Sequence, residues 1–199
     1  MAGELSDSAF GTTVADNTSK RVGLMKIETG KGTIPLVVLL AVWSVSAISS
    51  LPGLAVSPIL GDLNGIFPKA TDLEIQMLTS LPSLLIIPFV LLSGKLSEGP
   101  GKLRTLTVGL VLFFLSGAAC LFARSMTGLI VISCLLGVGA GMVIPFSTGL
   151  VVDYFTGDYR IRQLGYSSSI ANLTLVLGTI VTGYLADVEW HLPFLVYTL

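Results

Sequence analysis

The residues of this chain able to do chemistry are few and set apart. Charged groups gather in one stretch, Gly94-Lys95-Leu96-Ser97-Glu98-Gly99-Pro100-Gly101-Lys102-Leu103-Arg104, with Asp153, Arg160 and Arg162 further on. Carboxylates and cations in that arrangement do ion-pair chemistry. Lys102 and Arg104 are positioned to meet an acid from elsewhere, and Asp153 is the candidate because it ends a later apolar run on the same side. Nucleophilic or metal chemistry has no comparable set. The one histidine is His191, and neither a nucleophile with its base nor paired His and acids at helical spacing exists. Cys120 and Cys134 lie inside apolar runs, where packing is expected rather than a disulfide or a metal site. No catalytic residue, metal or cofactor is expected, nor an enzyme. A second class of polar residue is uncharged and embedded in apolar sequence: Trp43, Ser46, Gln76, Thr79, Ser83, Ser147, Thr148, Asn172 and Thr174. Each can bond a neighbouring helix, worth about 0.6 to 2 kcal/mol, or line a cavity for a solute.

The elements that hold these groups follow from where charge is missing. Hydrophobic residues make up 52% of the chain and charged ones only 12%, against roughly 25% in an ordinary soluble domain. Residues 34–61, 75–94, 105–123, 125–152 and 163–186 contain no Asp, Glu, Lys or Arg, and each reaches the roughly 18 residues a membrane-spanning helix needs. Spanning helices are therefore predicted over about 34–61, 74–97, 102–123, 125–153 and 160–187. A sixth begins at about 191–199, but its last eight residues rise only about 12 Å against a hydrocarbon core of about 30 Å, so it is expected to be truncated. An ionised group at mid-bilayer costs at least about 2.5 to 3.5 kcal/mol, and none of the five complete runs carries one. Either a solute handled here is neutral or lipophilic, or the charged coupling groups lie in a second half outside this sequence. No nucleic-acid partner is expected.

Basic residues near helix ends tend to remain cytoplasmic. Lys20, Arg21, Lys26, Lys31, Lys95, Lys102, Arg104, Arg160 and Arg162 fall on one side, and only Lys69 and Arg124 on the other. The chain is expected to be a multi-pass cell-membrane protein with its N-terminus in the cytoplasm. Residues 1–33 are polar and without sustained apolar periodicity, which predicts a disordered cytoplasmic tail. Gly99, Pro100 and Gly101 supply the reversal between two helices, Gly94 permits close approach of a neighbour, and Glu98 precedes a helix start, where a carboxylate is favoured.

Ser93-Gly94-Lys95-Leu96-Ser97-Glu98 reads like Thr182-Gly183-Tyr184-Leu185-Ala186-Asp187, 89 residues later, and Pro58 maps by that offset to within two residues of Pro145. With three spans per unit, the second copy must be inverted. The turn's pattern of Gly94, three residues, Glu98, then Gly101, Lys102 and Arg104 resembles the loop between the second and third helices of major facilitator superfamily transporters. Over residues 34–199 the chain is similar to the N-terminal half of such a carrier, and Phe67-Pro68, Leu81-Pro82 and Ile87-Pro88 look like multidrug and sugar-efflux members. The resemblance implies an all-α membrane protein, a six-helix half-bundle built from two inverted three-helix repeats. It implies secondary active transport of a small solute by alternating access, with efflux favoured, a small-molecule substrate, a C-terminal half of the same carrier as partner, and a proton as coupling ion. It also implies a conformational gate made from Gly94, Glu98, Gly101, Lys102, Arg104, Asp153, Arg160 and Arg162, with Glu98, Arg104 and Asp153 in its ion-pair network. The chain departs from the family pattern at Gly99 and Leu103, where basic residues are usual, and at Ser133, which takes the place of an arginine associated with proton coupling. The other reading is a truncated, non-transporting membrane remnant or a scaffold.

Overall fold

A computed structural model describes residues 26–199 apart from 53, 55, 61, 62, 69, 98, 100 and 199. The described part is all-α but for one small hairpin. Strands β1 (Lys26–Glu28) and β2 (Thr33–Pro35) pair antiparallel, with Ile27 opposite Ile34. Helices follow as α1 (Leu36–Ile48), α2 (Val56–Ile59), α3 (Leu63–Ile66), α4 (Asp72–Ser97), α5 (Lys102–Cys120), α6 (Met126–Tyr154) and α7 (Gly157–Val188), and a 3₁₀ turn covers Leu192–Thr198. Among the described residues, α4, α5, α6 and α7 are long and apolar enough to cross a membrane, and α1 is a shorter apolar helix.

Three stretches differ from their sequence-based expectation. Residues 34–61 do not form one helix, because the Ile48 carbonyl would need the backbone N–H of residue 52, and Pro52 has none. The chain tightens instead: the Leu51 N–H donates to Ile48 O at 3.1 Å, and the Ser49 and Ser50 hydroxyls donate to Ser46 O and Ala47 O at 2.8 and 2.7 Å. The expected tail 1–33 overlaps the hairpin at its end, and residues 1–25 lie outside the described ones. Where a sixth helix is expected over 191–199, Leu192–Thr198 wind as a 3₁₀ turn rather than an α-helix, and Phe194 and Tyr197 are fully buried.

The helix ends are locally specified. Thr71 and Glu74 form a reciprocal capping box on α4, with Thr71 N–H on Glu74 Oε2 at 2.9 Å and Glu74 N–H on Thr71 Oγ1 at 3.3 Å. Ser125 Oγ accepts from the Gly128 N–H at 3.2 Å at the start of α6. Gly157 has φ +56°, the left-handed conformation that lets α7 follow α6 at once.

The centre of the bundle is α6, and glycine put it there. Gly137 and Gly141, four apart, lie on the face that meets α4: a Cβ on either would sit 2.7 Å from Pro82 O or 2.8 Å from Ile86 O. Gly139 is about 200° around the helix and meets α5, where a Cβ would sit 2.7 Å from the Phe113 nitrogen. Without side chains at these positions the three backbones close up. The Ser93 hydroxyl on α4 also donates to Met142 O on α6 at 2.7 Å. Helices α1 and α7 pack against each other and against α6.

Candidate functional site

Two polar regions lie on this frame, one at the charged end and one within the helices. At the charged end, Lys102 Nζ donates to Asp153 Oδ2 at 2.7 Å, joining the start of α5 to the last turn of α6. Arg160 turns back on the end of α6, with Nε on Phe155 O at 3.1 Å and Nη2 on Val152 O at 3.2 Å. A cation on the last carbonyls of a helix complements its dipole. Arg162 lines a shallow surface hollow with Asp158 and Tyr159. The Arg104 side chain has no ion pair or hydrogen bond among the described residues, so of the two cations expected near Asp153 only Lys102 reaches it. Positions 102 and 104 are about 200° apart around a helix, and one orientation of α5 cannot bring both to the same acid. Glu98 lies outside the described residues. Gly94 and Gly101 have open space where a Cβ would stand.

The hairpin also docks at this end, which the sequence pattern did not disclose. Thr29 O accepts the Thr156 N–H at 3.0 Å, and Tyr159 OH donates to Glu28 Oε2 at 2.8 Å. Gly30, with φ +81°, lies so close that a Cβ would stand 2.7 Å from Thr156 Oγ1. Ile27 and Ile34 pack on the apolar cluster that contains Val151 and Phe155.

Within the helices, a groove of about 180 Å³ opens between α1, α6 and α7. Its polar lining is all hydroxyl: Ser46 and Ser49, Ser147 and Thr148, Ser167 and Ser168. Most of these protons are already committed to the preceding turn. Ser46 donates to Val42 O at 3.1 Å, Ser49 to Ser46 O at 2.8 Å and Ser147 to Ile144 O at 2.8 Å. What they offer the groove is oxygen lone pairs. Ser167 differs, since its residue is 6% exposed and its buried Oγ has no hydrogen-bond partner among the described residues. An unpaired buried hydroxyl costs roughly 1 to 3 kcal/mol. The nearby Trp43 Nε1 donates to Gln163 Oε1 at 3.3 Å, and its ring meets Tyr166 edge-on at 6.2 Å between centroids.

The sequence-based cavity set thus divides. Ser46, Ser147 and Thr148 line the hydroxyl groove and Trp43 ties α1 to α7. Thr79 and Ser83 line a different cavity of about 200 Å³ between α4 and α6, with Ser133 and Gly137 on its far wall. Gln76 is exposed, Asn172 donates to Ser168 O at 2.9 Å within its own helix, and Thr174 is half-buried and lines neither cavity. Ser49, Ser167 and Ser168 were missed. A serine run at 167–169 inside an otherwise apolar span was the available signal, but not the face it would turn to.

The sequence profile described as Major Facilitator Superfamily matches residues 38–199. Among curated proteins, a multidrug transporter protein of Bacillus subtilis, MdtP, is 31% identical over 146 residues, which is 73% of this chain and 26% of that protein. The quinolone resistance protein NorA of Staphylococcus aureus is 31% identical over 115 residues, 58% of this chain and 29% of NorA. The chain therefore spans between a quarter and a third of the length of these relatives.

Proposed function

The chain belongs to the major facilitator superfamily, a family of membrane transporters, and we propose that it is the N-terminal half of a carrier that exports a small, neutral or lipophilic solute by alternating access. The observation that carries this reading is the hydroxyl groove between α1, α6 and α7, with the unpaired Ser167 Oγ in its wall. Uncharged hydroxyl oxygens suit a neutral solute with a hydrogen-bonding group, while a bare charge would meet no counter-charge there. The names of the relatives, a multidrug transporter and a quinolone resistance protein, favour export. In this reading a C-terminal half closes the groove from the other side, and the N-terminus is cytoplasmic. A proton serves as coupling ion, carried by groups outside the charge-free runs of this chain. The Lys102–Asp153 pair holds α5 to α6 in one of the two states, and Arg160 fixes the end of α6 beside it.

Two experiments test this. Sequencing the source gene past the codon for Leu199 should reveal further spanning segments. Expressing that gene's product in a drug-sensitive host should then speed the loss of a fluorescent lipophilic dye from preloaded cells. Loss no faster than in control cells, with the protein present in the membrane, would favour a scaffold or a remnant.

A further inference from the structure

A second groove, on the outer side of α4 and α5, is unlike the first. It encloses about 330 Å³ at the charged end, is walled by Phe89, Leu92 and Leu96 of α4 and Val108 of α5, and is floored by Met142 of α6. Arg104 stands at its rim. The groove's two hydroxyls are already spent, that of Ser93 on Met142 O at 2.7 Å and that of Thr105 on Gly101 O at 3.4 Å, so the interior offers a ligand almost nothing polar. Leu92, Leu96 and Val108 remain 55%, 46% and 51% exposed. From Leu96 to Phe89 the wall follows α4 for seven residues, a rise of about 10 Å along the helix. The groove thus runs from the charged end of the bundle toward the apolar middle, with its single cation at the outer mouth.

We infer that this groove is a site for an anionic phospholipid of the leaflet on the 98–104 side, with the phosphate on Arg104 and an acyl chain along Phe89, Leu92, Leu96 and Val108. Charge complementarity selects the occupant. Lys102 is neutralised by Asp153, whereas Arg104, two positions on and turned to the other side of α5, has no acid among the described residues. A guanidinium offers a phosphate two parallel N–H groups, and basic pockets between spanning helices are suited to acidic headgroups. A neutral solute would leave the guanidinium unused, and an apolar protein face would bury it uncompensated.

The test uses the whole chain in nanodiscs made from equal parts phosphatidylglycerol and phosphatidylcholine, with the lipid retained after mild detergent extraction read by native mass spectrometry. Wild type should retain phosphatidylglycerol preferentially. Arg104→Gln should lower that preference about fivefold, as expected for one basic residue at a lipid surface. Arg104→Lys should keep most of it, and Val108→Trp, which fills the groove and leaves the charge, should lose retained lipid of both kinds. Equal retention of the two lipids by wild type, or an unchanged preference in Arg104→Gln, overturns the inference. So does a Val108→Trp chain that keeps its lipid, or that changes its oligomeric state instead, since the groove would then be a protein contact. The thermal midpoint in detergent separates these outcomes from misfolding, and Arg104→Lys supplies a folded comparison.

Discussion

The Lys102 and Asp153 side chains are 36% and 45% exposed, and exposed pairs are worth only about 0 to 1 kcal/mol. Replacing Lys102 by Ala should therefore change the thermal midpoint little. A role in holding one conformation would appear elsewhere. Lys102→Asp and Asp153→Lys should each alter the reactivity of an engineered cysteine at the charged end, and the double swap should restore it. Equal reactivity in all four proteins would reduce the pair to a surface contact. Ser167 offers the opposite contrast. Ser167→Ala removes an unpaired buried hydroxyl and should leave stability unchanged or raise it by up to about 1 kcal/mol. Solute affinity should fall about two- to tenfold in the same variant if that hydroxyl bonds the solute. A variant equally stable and with unaltered binding would remove Ser167 from the site. At this scale the sequence exposed the residue types and left the partners open. Lys102 and Arg104 were equivalent as letters, and only the rotation of α5 chose between them for Asp153.

The elements stand on backbone contacts that no single helix encodes. Gly139 meets the Phe113 nitrogen and Gly137 the Pro82 carbonyl, so an added methyl presses on backbone rather than on a yielding side chain. Gly139→Ala should destabilise by about 1 to 3 kcal/mol, an overpacking cost, read as a lower melting midpoint in detergent. Gly149 lies in the same helix with no atom within 4 Å of the place a methyl would take. Gly149→Ala should be neutral or stabilising by up to about 1 kcal/mol, since alanine is the better helix former. Similar losses at both positions would mean that intrinsic helix preference, not the approach of α5, is being measured. The two-residue phase between Gly137, Gly139 and Gly141 was present in the sequence, and it explains how one helix receives neighbours on both sides. The end of α1 was less legible. An uncharged run from 34 to 61 satisfies any count of span length, yet Pro52 withholds the hydrogen that Ile48 needs, and the helix stops at Ile48.

Across the whole molecule, α7 leaves Leu173, Val176, Ile180 and Tyr184 exposed, and α4 does the same with Leu84, Ile87 and Leu91. Apolar faces of this kind suit lipid or another part of a carrier, in keeping with membership of a transporter superfamily. The predicted orientation can be checked directly. In intact cells a membrane-impermeant thiol reagent should label a cysteine placed at Ser125 or Glu189, and should label one placed at Ser97 or Asp158 only after permeabilisation. The reverse pattern would invert the topology. The sequence by itself determined that the chain crosses a membrane, roughly where its long helices run and which loops carry the basic residues. Those features are sums along the chain, because a bilayer demands only apolar length between charged ends. The tertiary structure decided which cation meets Asp153, which hydroxyls share a groove with Ser167, and that the hairpin at 26–35 docks on Thr156 and Tyr159. These depend on how each helix is rotated and how closely glycine lets it approach. Such pairings join residues up to 131 positions apart, and no local pattern records them.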